Sequence, residues 1–414
     1  MERRAFLKGA GIVTVLVAGG GVWRAWDQGV FSVGQGLAYE PWKDWRSASD
    51  GPLGPVRAAI LAASPHNTQP WLFKVASSSI ELYADTSRNT GALDPFLREQ
   101  HIGLGCALEN LMLAAGANGY QAAPTLMPGK LTGTSPAPQP HLVARVELTA
   151  GIPQQSELYD AIPRRHTNRN PYDPNRPLPG DFVEKMRAVT STEPDVRVFL
   201  FTDEKERKKI PEIISQANDV LYADPAVAQG SEEWIRLRWK SVQKYRDGLT
   251  VDAFGLSSGQ ATVAKMVPVS VLRRQFASAK NLYLNLLLTA PLFGLIAVRD
   301  RYDQEQCLRA GRIWQRAHLF ATARGVAGRP ANEAVEMVDH ERSTGQEAHH
   351  AALLAESIGD TAWEPTFMFY MGYAVRPGLA SPRRPVEMVV RIVVAGPICL
   401  LLFTPVCLKI FSEI

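Results

Sequence analysis

Residues 64–71, which read SPHNTQPW, place hydrogen-bonding side chains beside a predicted strand. The run lies between a predicted helix at 56–63 and a predicted strand at 71–75. Ser64, Asn67, Thr68 and Gln69 supply amide and hydroxyl groups close to two prolines, and such groups can contact a flat heterocycle without adding charge. The alternative is a proline-bounded turn that buries the tryptophan in the core.

Residues 164–169, which read RRHTNR, are a candidate phosphate site. In an extended segment Arg165, Thr167 and Arg169 alternate onto one side. They would form a fork of guanidinium groups with a hydroxyl, which suits a phosphate monoester. The alternative is a solvated run of charge.

A third motif, SPRRP at 381–385, is stiffened by its prolines. Either Arg383 or Arg384 could add a further guanidinium to the same phosphate. The alternative is a positively charged flank beside a membrane.

Other patterns do not predict a site. Residues 255–259 read GLSSG, which matches a nucleophile elbow built on Ser257, but no buried strand precedes it. The acidic and histidine residues at 339–341 and 349–350 match no standard metal spacing, and we expect a solvated helical face there. The four cysteines show no CxxC spacing, so neither a zinc site nor a dithiol redox centre is expected.

The composition favours an ordinary globular chain of 414 residues with a small-molecule ligand. Lys+Arg 45 against Asp+Glu 41 gives a net charge of only +4, without a basic stripe. Nucleic acid is therefore not an expected partner.

Both ends of the chain carry membrane or export signals. Residues 1–27 begin MERRAFLK before a weakly apolar stretch, which resembles a twin-arginine export signal that could remain as an anchor. Residues 391–414 form an apolar tail, and 392–408 is about as long as the shortest membrane-spanning helices. A packed C-terminal arm or an interfacial segment is the alternative for the tail. We expect a protein on the periplasmic side of the inner membrane.

The chain contains a short internal repeat, called the echo below. Residues 105–119 align without gaps on 311–325, with Gly, Leu, Ala, Ala and Gly at matching positions. Both windows predict a small-faced central helix with a C-terminal glycine cap, and each precedes a predicted strand, at 141–148 and 367–375. Two copies of one unit, at 50–150 and 156–390, predict an α+β intramolecular pseudo-dimer. A helical insert at about 231–279 would interrupt the second unit.

Together these motifs resemble the nitroreductase-like FMN flavoproteins, in particular the fused, single-chain Acg-like branch that often carries a twin-arginine signal. The resemblance rests on the SPHNTQPW motif, on RRHTNR in place of the family's RxSxR, and on the paired helices. It also rests on TAP at 289–291, on the stretch at 325–332, and on GYA at 372–374 followed by SPRRP. His166 departs from the family pattern.

The resemblance implies one FMN between the two units. Arg165, Thr167 and Arg169, with Arg383 or Arg384, would hold the phosphate and ribityl end. Ser64, Asn67, Thr68 and Gln69 would line the isoalloxazine. The residues that would approach its redox edge are Ala327, Gly328, Arg329 and Asn332.

The resemblance also implies an FMN-dependent oxidoreductase acting by two-electron transfer through flavin N5, without a catalytic side chain. The first unit has no RxSxR counterpart, only WRS at 45–47, so we expect one FMN per chain and a monomer. If the protein is exported, a quinol or a redox protein could be the electron donor for the small-molecule substrate. The alternatives are a non-catalytic FMN-sequestering protein and a hydrolase built on Ser257.

Overall fold

The computed structural model describes residues 20–46, 51–133, 139–267 and 280–392. The core of the twin-arginine expectation, at 1–19, lies outside the described residues. Nearly all of the expected membrane tail, from 393 onward, also lies outside them. Every helix within the described ranges is too short or too polar to cross a bilayer.

The first unit contributes four strands of a five-stranded sheet, with one long helix against it. Strand β2 lies between β1 and β4, and β3 lies on the far side of β4, all antiparallel. The elements up to the end of this unit are α1 (Gly20–Asp27), α2 (Leu53–Ala59), β1 (Trp71–Val75), β2 (Ser79–Ala84), α3 (Arg98–Ala117), β3 (Tyr120–Leu126) and β4 (His141–Ala150).

The second unit repeats this arrangement with extra helices. Its sheet has the order β5-β8-β10-β9, again antiparallel throughout. In chain order the elements are α4 (Glu157–Ala161), α5 (Phe182–Thr190), β5 (Val196–Phe201), α6 (Glu204–Leu221), α7 (Pro225–Glu232), β6 (Ile235–Arg236), α8 (Trp239–Tyr245), β7 (Leu249–Thr250), α9 (Ser258–Met266), α10 (Lys280–Leu287), β8 (Leu292–Val298), α11 (Gln304–Ala323), β9 (Ala327–Pro330), α12 (Glu333–Thr344), α13 (His349–Ile358), β10 (Glu364–Gly372), α14 (Val386–Val389) and β11 (Val390–Ile392).

The two units have the same connectivity. Strands β1, β2, β3 and β4 correspond to β5, β8, β9 and β10, and the long helices α3 and α11 occupy equivalent places. The chain then returns from the second unit, and β11 pairs in parallel with β1 of the first. The fold is therefore α+β, with two like units in one chain, as the sequence predicts.

The two long helices cross at the glycines that begin the echo. A Cβ built on Gly105 would lie 2.0 Å from the carbonyl oxygen of Leu308, and one built on Gly311 would lie 2.0 Å from that of Ile102. Only residues without a side chain permit this approach. The closing glycines, Gly119 and Gly325, have φ of 81° and 71°, which suits the left-handed cap that ends a helix.

The largest hydrophobic core surrounds this crossing. It contains both helices and the inner faces of both sheets, with Trp71 and Trp314 almost fully buried. A second core lies on the other face of the second sheet, against α6 and α12. The crossing thus gives the two units a shared interior, and the candidate site residues lie at its rim.

Candidate functional site

The SPHNTQPW loop has a strained backbone. His66, Asn67 and Gln69 have φ of 45°, 57° and 53°, in the left-handed region that residues other than glycine rarely adopt. Ser64 supports this conformation because its Oγ accepts a hydrogen bond of 3.0 Å from the backbone N–H of Gln69. Strain of this kind is concentrated at ligand-binding and catalytic positions.

Asn67 connects the loop to two distant segments. Its side-chain nitrogen donates to the carbonyl oxygens of Gly248, at 3.1 Å, and Pro382, at 3.0 Å. Its side-chain oxygen accepts from Arg383 at 2.6 Å. The amide expected to face an isoalloxazine is thus committed to protein partners, and Asn67 acts as a positioning residue for the SPRRP motif.

Gln69 has a similar connecting role. Its Nε2 donates to the carbonyl of Arg246 at 2.9 Å, and its Oε1 accepts from the backbone N–H of Arg384 at 2.8 Å. Thr68 differs, because its hydroxyl is buried without a hydrogen-bond partner among the described residues. Of the three polar side chains at 67–69, Thr68 is the one with an unused polar group.

Arg165 and Arg383 converge on a single carbonyl oxygen. Their Nη2 atoms donate to the oxygen of Leu61, at 3.0 Å and 3.3 Å respectively. Both side chains are about 2% exposed. Within the described ranges neither forms an ion pair with a carboxylate. Two buried cations therefore face each other across one neutral acceptor.

This arrangement has an electrostatic cost. Burial lowers the pKa of Arg165 to about 10. Burial and then the charge of Arg165 lower the pKa of Arg383 well below its usual range. The Nε and Nη1 atoms of Arg165 and the Nε atom of Arg383 are buried without partners among the described residues. Donors left over in this way are what a buried anion requires.

Arg384 lies apart from this pair. It donates to the carbonyl oxygens of Gln69, at 3.0 Å, and Met388, at 3.2 Å. Of the two SPRRP arginines, Arg383 is therefore the one beside Arg165, while Arg384 secures the loop to α14.

The expected fork of Arg165 and Arg169 is split between two environments. Arg169 donates to the carbonyl of Ala253 at 3.2 Å, and burial and then Arg329 lower its pKa to about 10. An extended chain advances about 3.3 Å per residue, so the two arginines are about 13 Å apart along the segment. Thr167, between them, forms a parallel bridge with Gly328.

Arg329 lies in an aromatic and acidic setting. Its guanidinium is 5.1 Å from the ring of Tyr283 and 5.8 Å from that of Tyr370. Tyr283 donates a 2.7 Å hydrogen bond to Glu333, whose second carboxylate oxygen has no partner among the described residues. Burial opposes the charge of Arg329, but Tyr370, Tyr283 and Glu333 together raise its pKa. Sequence reasoning did not identify this group, since its members come from four separate elements.

The remaining predicted residues belong to the β9 segment. Gly328 accepts a hydrogen bond of 3.1 Å from the backbone N–H of Asn168, which joins the RRHTNR segment to β9. Ala327 pairs with Gly372 in the β9–β10 ladder. Asn332 accepts from the backbone N–H of Met368 at 2.8 Å, so its side-chain oxygen faces β10.

The insert contacts each of the first two motifs. His66 lies 2.8 Å from the hydroxyl of Ser231, and the backbone N–H of Gly248 donates to Asn67. Gly255 is so close to the backbone of Arg169 that a Cβ would lie 2.2 Å from its oxygen. The described part of the insert therefore covers this side of the site.

Two of the patterns that were set aside have structural roles. Ser257 is the N-cap of α9, where its hydroxyl accepts from the backbone N–H of Gln260 at 3.3 Å. The expectation of a solvated face at 339–341 and 349–350 is wrong for most of its residues. Asp339 is fully buried between Arg98 and Arg301, and Glu341 accepts a 2.5 Å hydrogen bond from buried His350. The cationic partners of Asp339 lie 38 and 241 residues away in the sequence, so a local pattern does not reveal them.

No family model matches the chain. A stretch of 132 residues is 34% identical to a protein of Mycobacterium tuberculosis that carries the name NAD(P)H nitroreductase. This match covers 31% of the chain and 36% of the relative, so the chain spans about a third of that relative's length. The acg protein of the same organism, also named NAD(P)H nitroreductase, is 25% identical over 348 residues, which cover 81% of the chain and 93% of the relative. The chain is therefore similar, over most of its length, to a protein named as a nitroreductase.

Solved nitroreductases are also similar to this chain at low identity. The FMN-dependent nitroreductase NfnB from Mycobacterium smegmatis, in complex with NADPH, is 14% identical, with a TM-score of 0.35. The match covers 57% of this chain and 97% of that one. A nitroreductase from Desulfitobacterium hafniense with bound FMN is 12% identical over 58% of this chain and 100% of its own, with a TM-score of 0.34.

Sequence reasoning did not identify one further buried side chain beside the site residues. His318, on α11, is 1% exposed, and neither ring nitrogen has a side-chain hydrogen-bond partner among the described residues. Burial, followed by Arg165 and His166, lowers its pKa well below the usual range. Its place on the small-faced central helix beside Gly328 is the signal that could have identified it.

Proposed function

We propose that this protein is an FMN-dependent oxidoreductase that transfers two electrons to a small-molecule substrate. The observation that carries the proposal is the pair Arg165 and Arg383, which share the Leu61 carbonyl oxygen and form no ion pair among the described residues. A phosphate carries about two negative charges at neutral pH and several acceptor oxygens. It would satisfy the three unpartnered guanidinium nitrogens of this pair.

The residues present fit FMN at its phosphate end, and the other assignments extend from there. Arg165 and Arg383 would bind the phosphate, with Thr167 on the same extended segment. Thr68, with its unused hydroxyl, is the donor that the SPHNTQPW loop can offer to the ring system. Arg169 and Arg329 would add positive charge along the ligand. FMN would supply two-electron chemistry at N5, while the protein orients the ring and limits access to it.

Asn67, Gln69 and Arg384 would support the residues that bind FMN. Their polar groups are bonded to one another's segments, so they hold the SPRRP motif against the SPHNTQPW loop. Asn332 similarly fixes the start of α12 to β10. We therefore assign these four residues as positioning residues.

The names of the relatives point to NAD(P)H as electron donor, and the expected export signal points to a quinol or a redox protein. We propose that the protein acts on the periplasmic side of the inner membrane. Residues 1–19 and 393–414, which carry that expectation, lie outside the described residues.

A second candidate function is FMN sequestration without turnover. The insert favours it, because Ser231 and Gly248 contact the SPHNTQPW loop and Ala253 contacts Arg169. A cover of this kind restricts the access of a substrate or a donor to a ligand beneath it.

The test of FMN binding is the absorption spectrum and the cofactor content of the purified full chain. We expect about one FMN per chain, and Arg165→Ala or Arg383→Ala to weaken its retention on dialysis about tenfold or more, because each loses charge-assisted hydrogen bonds. Arg145→Ala is the matched control, since Arg145 is an exposed side chain of β4 that pairs with Glu81 and Glu147. A protein that takes up no FMN, or equal losses in all three variants, would refute the proposal.

Stopped-flow reduction separates the two candidate functions. The FMN-loaded protein is mixed anaerobically with NADPH or a water-soluble quinol and then with an electron acceptor. Rapid reduction and reoxidation would support the oxidoreductase. A flavin that neither donor reduces within minutes, but dithionite does, would favour sequestration.

A further inference from the structure

A short segment that precedes the first unit reaches the arginine pair. Residues Leu37–Trp42 form a 3₁₀ helix, in which Ala38 and Tyr39 are almost fully buried. The backbone N–H of Arg383 donates to the carbonyl oxygen of Ala38 at 2.7 Å. This helix, called the N-terminal arm below, therefore packs directly against the candidate phosphate site.

Trp42, the last residue of the N-terminal arm, contacts two of the three motifs. The centre of its ring lies 4.7 Å from the guanidinium carbon of Arg383. It also lies 4.7 Å from the ring centre of His166, with the two ring planes at 69°. The Nε1 of Trp42 donates to the carbonyl oxygen of Ser381 at 2.8 Å. One side chain thus joins the RRHTNR segment to the SPRRP motif beside the arginine pair.

The contact between Trp42 and Arg383 has an electrostatic reason. Within the described ranges the Nη atoms of Arg383 donate to neutral oxygens, those of Asn67, Leu61, Ala62 and Pro382. Arg165, another buried cation, donates to the same Leu61 oxygen and repels Arg383. The face of an indole ring attracts a cation, most strongly where water is excluded. Trp42 therefore helps to keep the Arg383 guanidinium beside Arg165.

His166 gives Trp42 an aromatic neighbour without adding a third buried cation. Burial, followed by Arg165 and Arg383, lowers the pKa of His166 to about 3, so its ring is uncharged at neutral pH. Its Nδ1 is buried without a hydrogen-bond partner among the described residues. The residue that departs from the family pattern thus lies where it packs on Trp42.

The insert holds the N-terminal arm from another direction. Gln243, on α8, accepts from the backbone N–H of Ala38 at 3.0 Å and donates to the carbonyl oxygen of Gln35 at 3.0 Å. Gly36 has φ of 83°, and a Cβ there would lie 2.6 Å from the side-chain oxygen of Gln243. These contacts fix the arm, and with it Trp42, without using the side chain of Arg383.

We propose that Trp42 is a positioning residue for the phosphate, and that by holding Arg383 beside Arg165 it makes the site prefer FMN to riboflavin. The inference rests on the proposed function, because it concerns the same site. Trp42 contacts residues assigned to the phosphate end, whereas the SPHNTQPW loop is assigned to the ring system. Loss of Trp42 should therefore weaken the binding of the phosphate group and leave the binding of the isoalloxazine unchanged.

The test compares FMN with riboflavin, which differ only in the phosphate. Dissociation constants of both flavins for the cofactor-free full chain are measured by flavin fluorescence. In Trp42→Leu the affinity for FMN should fall about tenfold, as expected for a desolvated cation–π contact, while the affinity for riboflavin stays unchanged. Trp42→Phe keeps a ring face and should retain most of the preference for FMN. An equal loss for both flavins in Trp42→Leu would indicate a structural role alone and overturn the proposal.

Two controls isolate the action of Trp42 on Arg383. Trp45, three residues further along, packs instead on Tyr159, with 5.0 Å between ring centres. Trp45→Leu should leave the ratio of the two affinities unchanged. In a chain that already carries Arg383→Ala, Trp42→Leu should not change the ratio further. A full effect in that background would overturn the proposal, since Trp42 would then not act through Arg383.

Inorganic phosphate separates this inference from the proposed function. Phosphate alone should raise the melting temperature of the cofactor-free chain and of Trp42→Phe, and should raise it less in Trp42→Leu. FMN binding with an unchanged ratio in Trp42→Leu would overturn this inference and leave the proposed function intact. A chain that takes up no FMN would refute the proposed function. The role of Trp42 would then require that phosphate stabilise the chain and that Trp42→Leu reduce this effect, and the absence of either would overturn it.

Discussion

The crossing of the two central helices makes a strong prediction about glycine. In Gly105→Ala the new methyl group would lie 2.0 Å from the carbonyl oxygen of Leu308, and real Cβ contacts essentially never fall below 3.0 Å. The obstacle is main chain on the opposite helix, which cannot turn aside as a side chain can. The helices would have to separate by about 1 Å, which loosens the tightly packed core between the two units.

The expected magnitude follows from two opposing effects. Overpacking of a well-packed core costs typically about 1–3 kcal/mol, and a rigid obstacle favours the upper part of that range. Alanine recovers about 0.5–1 kcal/mol relative to glycine inside a helix. We therefore expect Gly105→Ala to lower the free energy of unfolding by about 2 kcal/mol. Gly311→Ala should cost the same, because its Cβ would lie 2.0 Å from the Ile102 oxygen.

Urea unfolding followed by circular dichroism measures these changes, and the same helix supplies the control. In Gly116→Ala the nearest atom to the new methyl group is 3.8 Å away, so this variant should gain about 0.5–1 kcal/mol. The double variant of Gly105 and Gly311 should cost less than the sum of the single variants, since one separation relieves both contacts. If Gly105→Ala stabilised the chain as Gly116→Ala does, the close crossing of the two units would be refuted.

Three further predictions concern charge and the insert. Arg165→Met should raise the free energy of unfolding of the cofactor-free chain by about 1 kcal/mol or more, because it removes an uncompensated buried cation, and chemical denaturation tests this. His101 has a pKa lowered to about 4 by burial, so between pH 6.5 and 4 the unfolded chain binds a proton that the folded chain does not. The free energy of unfolding should therefore fall as the pH decreases through that window. The fall should be smaller in His101→Gln than in the exposed control His349→Gln. Gly248 has φ of 75°, and a Cβ there would meet the Trp234 oxygen at 2.3 Å, so Gly248→Ala should speed tryptic cleavage within the insert. The control for it is Gly259→Ala, which meets nothing within 4 Å.

Local apolar pattern was sufficient to predict several elements of the fold. The strand at Trp71–Val75 has the predicted bounds, and the strand predicted at 141–148 lies at His141–Ala150, because turn-forming residues border both runs. The strand predicted at 367–375 lies at Glu364–Gly372, a shift of three residues. The helix predicted at 56–63 begins and ends earlier, at Leu53–Ala59. Edges of elements depend on tertiary partners that a local pattern does not contain.

The candidate site was less predictable than the fold. The residue types of SPHNTQPW and RRHTNR suggested ligand contacts, but the structure uses Asn67 and Gln69 to hold other segments in place. The choice between Arg383 and Arg384 depended on which one reaches the Leu61 oxygen, a contact across more than 300 residues. Buried charge at Asp339 was missed for the same reason, since its compensation comes from Arg98 and Arg301.

Fusion of two like units allows their equivalent positions to differ, and this chain shows the result at two places. Between β1 and β2 the first unit has a three-residue turn, whereas between β5 and β8 the second unit holds the chain from 202 to 291, including the insert. Before its first strand, the first unit offers Arg46, which is ion-paired with Asp160 and lies over the rings of Trp45 and Tyr159. Arg46 is thus half exposed with a carboxylate partner, whereas Arg165 is buried and has no carboxylate partner among the described residues. A symmetric homodimer could not make these changes on one side alone, and they favour a single FMN site per chain.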